Sequence, residues 1–313
     1  MIDPYRLALE GMLIGLRKGW SGFLWMMRIL FPVSFFTALL QWSGLLLQID
    51  FVLQPAMKWL GLPSSAALPI LIGLLTNIYG GIASMVVLPL SIPHMTLIAI
   101  FLLIAHNMIQ EGIIQGNSGI HPFKATLFRL GAAIMTTAVS ATFLDSHPVS
   151  LHEATARAQT LVPFLDMVVS WLKTSVQLAG KIFLIILAIM TLLETLKALG
   201  WIEPVVRLFS PMLLLLGVSR RVGLLWLTAV IFGLAYGGAV IVEEAKRDDL
   251  SPEELQILHL SIGINHSMIE DPLLFMALGL SAFWLYVPRL IMAIFAVHAL
   301  RFWYRWHPLP KQG

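Results

Sequence analysis

Cysteine is absent from all 313 residues. That excludes disulfides, thiolate metal sites and a cysteine nucleophile, and it leaves redox compartment unreadable. Charge is scarce too: Asp, Glu, Lys and Arg make up 12% of the chain, against roughly 25% in soluble domains. A net charge of +3 and no Lys/Arg run longer than two residues speak against a nucleic-acid partner. The chain has no phosphate-cradling glycine loop, no Gly-x-Ser-x-Gly elbow and no His-Glu-x-x-His motif. An ATP-driven pump would therefore need a partner to supply its motor. No cleavable signal peptide is evident at the start.

What fills the chain is apolar: 58% hydrophobic residues and a mean hydropathy of +0.85. This composition predicts an all-α polytopic membrane protein, multi-pass, with the lipid bilayer as its main partner. Residues 1–20 set Arg6, Glu10, Arg17 and Lys18 among leucines, which reads as an interfacial amphipathic helix. Spans follow over 22–47, 68–90, 95–114 and 127–143. The stretch 51–62, holding Pro55 and Lys58, is too short to cross and reads as interfacial or re-entrant. Residues 144–162 are the one plausible linker. Further spans are expected over 178–193, 222–242, 255–280 and 283–300, with a short apolar piece at 205–218, and the aromatic tail 303–313 follows.

The plan repeats. His106-Asn107-Met108-Ile109-Gln110-Glu111-Gly112 matches His266-Ser267-Met268-Ile269-Glu270-Asp271-Pro272, each closing on a helix breaker. Tyr79-Gly80-Gly81 matches Tyr236-Gly237-Gly238, Pro55 matches Pro211, Gly61 matches Gly217 and Lys18 matches Lys173, in the same order. Two homologous helical halves are expected, 7–143 and 163–302. The basic loop 197–221 contrasts with a lone Lys58 in the first half, which favours an inverted repeat.

Ionisable groups are costly in a bilayer, so they face a partner or a cavity. His106 and His266, with Asn107, Glu111, Asn265, Glu270 and Asp271, are the candidate solute- or ion-binding groups, and Asn77 adds a neutral hydrogen bond. A single histidine would be explained as readily by a hydrogen bond between helices; a duplicated motif is harder to dismiss. On an unbroken helix His259, His266 and Glu270 share one face, and with His106 they form a candidate metal set. The Tyr-Gly-Gly triplets, Tyr79, Gly80, Gly81 and Tyr236, Gly237, Gly238, are candidate helix breaks whose free backbone lines a site; close helix packing is the competing reading. Glu243 to Asp249 reads as a solvated loop, and Ser251-Pro252-Glu253-Glu254 as a capped helix start.

At these residues the chain resembles the Gate, or nucleoside-recognition, family of membrane proteins. That family includes the spore maturation proteins A and B and is distantly similar to the gate regions of ferrous-iron transporters. The likeness lies in the Gly-Gly span followed by an apolar span ending in an acidic pair: Leu234-Ala235-Tyr236-Gly237-Gly238 with Met268-Ile269-Glu270-Asp271, and Tyr79-Gly80-Gly81 with Gln110-Glu111. It extends over both halves and implies a Gate-like scaffold with internal repeats and broken helices.

These observations together lead to one expectation: a secondary transporter or permease of the cell inner membrane. Its midplane site would take a small polar solute, nucleoside-like, or a divalent cation, with a proton or sodium ion as the coupling candidate. No catalytic role and no firm cofactor is expected beyond a divalent metal ion as a candidate, and the chain could form a homo-oligomer. The alternatives are a membrane-embedded metal-dependent enzyme and a non-transporting assembly or signalling subunit.

Overall fold

The computed structural model describes residues 4–48, 50–117, 119–144, 162–201 and 251–307, together with scattered positions between 204 and 230. The expected Tyr236-Gly237-Gly238 break, the charged loop before Ser251 and nearly all of the linker fall outside the described residues.

Every element among the described residues is helical. The described helices are α1 (Pro4–Trp42), α2 (Leu45–Gln48), α3 (Asp50–Trp59), α4 (Ala67–Leu75), α5 (Ile78–Met85), α6 (Ile92–Ala105), α7 (Met108–Asn117), α8 (Pro122–Ala141), α9 (Phe164–Ala198), α10 (Pro252–Asn265), α11 (Glu270–Met276) and α12 (Ala282–Trp306). Among the described residues, four stretches are long and apolar enough to cross a membrane: 4–42, 92–117, 164–198 and 282–306. A fifth is a bent pair, Val52–Trp59 with Ser64–Leu75, whose halves meet at 87°. The bend lies at Gly61-Leu62-Pro63, at the end of the stretch 51–62 that the sequence reads as interfacial or re-entrant.

The surface helix expected over 1–20 and the span expected from Gly22 are one continuous helix, α1. The reason is a glycine stripe. Gly11, Gly15 and Gly19 repeat every four residues and so share a face. An added Cβ would lie 2.8 Å from Thr195 Cα at Gly11, 2.4 Å from Thr191 Cα at Gly15 and 3.2 Å from Leu187 Cα at Gly19. As α1 ascends, its partners on α9 descend, so the two long helices are antiparallel with their backbones in close approach. Lys18 to Glu194 at 3.0 Å and Trp171 Nε1 donating to Ser34 Oγ at 3.0 Å extend the seam. Trp42 closes it, its indole N–H donating to the Val162 carbonyl at 2.9 Å. The outer faces of both helices carry exposed Leu13, Trp20, Leu24, Leu172 and Leu184, as a lipid-facing surface does.

The centre is α6. Every residue from Leu97 to Ala105 is buried, and a helix apolar on all sides belongs inside a bundle. It packs against α4, α8, α10 and α12. Ser91 caps its start, accepting from His94 N at 3.4 Å. Its counterpart α10 begins with the capping box read from the sequence: Ser251 Oγ accepts from Glu254 N at 3.2 Å and Glu254 Oε2 from Ser251 N at 3.1 Å.

Candidate functional site

Both central helices break, and they break at the histidines. α6 ends at Ala105 and the chain turns through His106 and Asn107, the latter with φ 51°, before α7 begins at Met108. α10 ends at Asn265 and turns through His266 and Ser267, again with φ 51°. Left-handed backbone at a non-glycine residue is uncommon and marks strain held by its surroundings. The sequence placed the interruptions later, at Gly112 and Pro272. Gly112 is inside α7, and Pro272 sits in the first turn of α11, where a missing N–H costs nothing.

Two buried arginines hold the broken ends, and the sequence reading missed both. Arg129, on α8, donates from Nε to the Ile104 carbonyl at 3.1 Å and from Nη2 to the His106 carbonyl at 3.1 Å. Arg289, on α12, donates from Nε to the Ile264 carbonyl at 3.2 Å and from Nη2 to the His266 carbonyl at 2.8 Å. Each thus meets the negative end of a helix and satisfies carbonyls that the break would leave orphaned. The signal was present: in each half an arginine stands inside an apolar helix 23 residues after the histidine.

The breaks also lean on neighbouring backbone. Asn107 N donates to the Gly73 carbonyl at 2.9 Å and Met268 N to the Val230 carbonyl at 2.8 Å. The imidazoles of His106 and His266 consequently face each other, ring centroids 4.9 Å apart and planes tilted by 40°. Both rings are buried. His106 Nδ1 lies 2.7 Å from the Leu102 carbonyl and His266 Nδ1 3.1 Å from the Gly263 carbonyl. A carbonyl only accepts, so both Nδ1 atoms carry a proton, and in the neutral rings both Nε2 atoms present lone pairs.

Those lone pairs face carboxylates. Glu111 Oε1 is 3.6 Å from His106 Nε2 and 3.3 Å from His266 Nε2, while Asp271 Oδ2 is 3.6 Å from His106 Nε2. His106, His266 and Asp271 each offer a ligand atom within 4.8 Å of the others. The two acids differ in their anchoring. Glu111 Oε2 pairs with Arg129 Nη1 at 2.5 Å. Asp271, one methylene shorter, leaves its Oδ2 without a hydrogen bond, and Arg289 Nη1 has none either.

Other predicted site residues serve elsewhere. Because α10 stops at Asn265, His266 and Glu270 do not share a helix face with His259, and the metal set read from the sequence is corrected. His259 and Glu270 lie outside the group of ligand atoms that the fold brings together. The His259 carbonyl accepts from Gln115 Nε2 at 2.9 Å. Glu270 accepts instead from the Tyr79 hydroxyl. Asn77 caps α5, accepting from Gly80 N at 2.9 Å, and Asn107 Nδ2 donates to Gln110 at 3.2 Å. Asn265 is buried with neither amide atom hydrogen-bonded.

Gly80 and Gly81 lie inside α5, and the interruption falls upstream at Thr76-Asn77. A Cβ on Gly81 would come 2.5 Å from Leu102 Cδ1, so this glycine permits close packing against α6. An apolar groove of about 460 Å³ between α8 and α12, lined by Met135, Val139, Phe143, Phe283, Ile291 and Phe295, opens toward lipid and includes none of the site's polar groups.

Fold and site together define an all-helical, multi-pass membrane protein whose polar groups are gathered at interrupted helices in its interior. The chain is 26% identical over 308 residues, 97% of each sequence, to the uncharacterized membrane protein YvoD of Bacillus subtilis (strain 168). No protein-family model matches it, and neither does any solved structure.

Proposed function

We propose that the protein is a carrier of the cell inner membrane, built from two Gate-like repeats that enclose a midplane site for a small polar solute or cation. One observation supports this above the others: two helix breaks, one from each half of the chain, bring His106 and His266 face to face beside Glu111 and Asp271. Irregular backbone is tolerated at membrane depth where it is buried in protein or lines a cavity, and interrupted helices with convergent polar groups are how repeat-built transporters bind their cargo.

The repeat is supported by paired detail. The arginine–carbonyl contacts have the same sequence offsets in both halves, 25 and 23 residues, and both breaks carry φ 51°. The antiparallel packing of α1 against α9, the first helices of their halves, supports inversion. Inverted halves can rock about a shared site and expose it to either side in turn.

The test is uptake of labelled uridine, adenosine and divalent metal ions into proteoliposomes holding the purified chain. The parent protein should accumulate at least one of them, and His266→Ala should lose that activity. Equal transport by the variant removes these residues from the site.

A further inference from the structure

We infer that His106, His266 and Asp271 form a three-ligand binding site for a divalent metal ion of the zinc class, with the Arg129-held Glu111 beside it and a fourth position left for water or solute. This rests on the reading above that the paired breaks make the protein's polar centre, and it names what that centre takes.

The argument begins with proton placement. Each imidazole has its Nδ1 proton committed to a carbonyl of its own helix end, Leu102 or Gly263. In the neutral ring each Nε2 is therefore an acceptor, and opposite it stands another acceptor, a carboxylate oxygen. Lone pairs turned toward one another inside a protein repel unless something positive lies between them. Nδ1 bonded to a backbone carbonyl is also the arrangement that orients metal-ligating histidine.

The distances discriminate further. Bonds of about 2.0–2.1 Å in a tetrahedron hold the ligand atoms about 3.3–3.4 Å from each other. His106 Nε2 and Asp271 Oδ2 are 3.6 Å apart, too long for a good hydrogen bond and close to that edge, and the ligand atoms of His106, His266 and Asp271 all lie within 4.8 Å of one another. Asp271 Oδ2 is buried without a hydrogen bond, and His266 Nε2 has only the 3.3 Å contact with Glu111, so these two of the three ligand atoms are open to a cation. Two imidazole nitrogens with one carboxylate suit zinc, cobalt or ferrous iron better than magnesium or calcium, which take oxygen ligands.

Two guanidinium groups close by would seem to oppose a dication. Both, however, are turned onto helix C-terminal carbonyls, Arg129 onto Ile104 and His106, Arg289 onto Ile264 and His266. Those ends carry about half a negative charge each, so part of the arginine charge is met by backbone. The carboxylates and the helix ends together leave room for a bound cation.

The experiment uses the full chain in nanodiscs, stripped with a chelator and titrated with Zn²⁺ and with Co²⁺. One zinc should bind per chain, and cobalt should give the intense visible bands of a tetrahedral site, with Mg²⁺ and Ca²⁺ failing to displace it. His266→Gln and Asp271→Asn should lose the bands, while Glu270→Gln, whose carboxylate faces Tyr79, should keep them. Failure of the parent chain to bind zinc or cobalt at micromolar concentration overturns the site and assigns the space between acceptors to protons. Bands that persist in both ligand variants overturn it as well. Metal binding without uptake in proteoliposomes would leave this site standing and remove the carrier; solute uptake by a chain that binds no metal would do the reverse.

Discussion

Arg129 and Arg289 make the same pair of contacts, each reaching from its own helix to the last carbonyls of a broken one. They differ in a single respect: Arg129 Nη1 also grips Glu111 at 2.5 Å, whereas Arg289 Nη1 is left without a hydrogen bond. The first break is thereby closed on itself electrostatically, and the second keeps a buried donor and a buried acceptor in reserve. The two halves of the site are alike in backbone and unlike in charge pairing.

That asymmetry predicts unequal penalties. Arg129→Gln strands Glu111 as an unpaired buried charge and should cost ~3–5 kcal/mol. Arg289→Gln strands helix-end carbonyls and removes a nearby charge from Asp271 without breaking a direct ion pair, and should cost less, ~1–3 kcal/mol. Denaturant unfolding of both variants in the same detergent measures the difference, and a larger loss at Arg289 would contradict the account.

The glycine stripe of α1 predicts a position-dependent response. Gly15→Ala places a methyl group 2.4 Å from Thr191 Cα and should destabilise by ~1–3 kcal/mol, because backbone must shift. Gly22→Ala meets nothing within 4 Å and, in a helix, should be neutral or stabilising by up to ~1 kcal/mol. Thermal unfolding of the two, side by side, checks it.

Tyr79 and Glu270 are joined by a hydrogen bond between the two halves. A double-mutant cycle with Tyr79→Phe and Glu270→Gln should therefore return a coupling of ~0.5–3 kcal/mol. Strict additivity of the two single effects would mean that the contact contributes nothing.

The capping box at the start of α10 is a local device, and its removal should act locally. Ser251→Ala is expected to cost ~0.5–2 kcal/mol and to raise amide exchange through the first turn, Glu253 to Gln256. Zinc and cobalt binding at the far end of the same helix should be unchanged, which the titration above can read directly.

Composition and spacing alone established a good deal. Scarce charge and long apolar runs required a helical membrane protein, the short stretch 51–62 read as interfacial or re-entrant, and Ser251 with Glu254 announced a helix start. The matched histidine motifs singled out His106, Glu111, His266 and Asp271 because polar groups in lipid need a reason. What spacing could not supply was the location of the breaks. A helical wheel put His259, His266 and Glu270 together because it assumed the helix went on. Arginine side chains from α8 and α12, distant in the chain, instead stabilise carbonyls at His106 and His266 and so permit the chain to turn there. Which nitrogen of each imidazole is free, and which acid it faces, was likewise decided only by packing: a proton goes where a carbonyl waits for it, and only the folded chain puts the carbonyl in place.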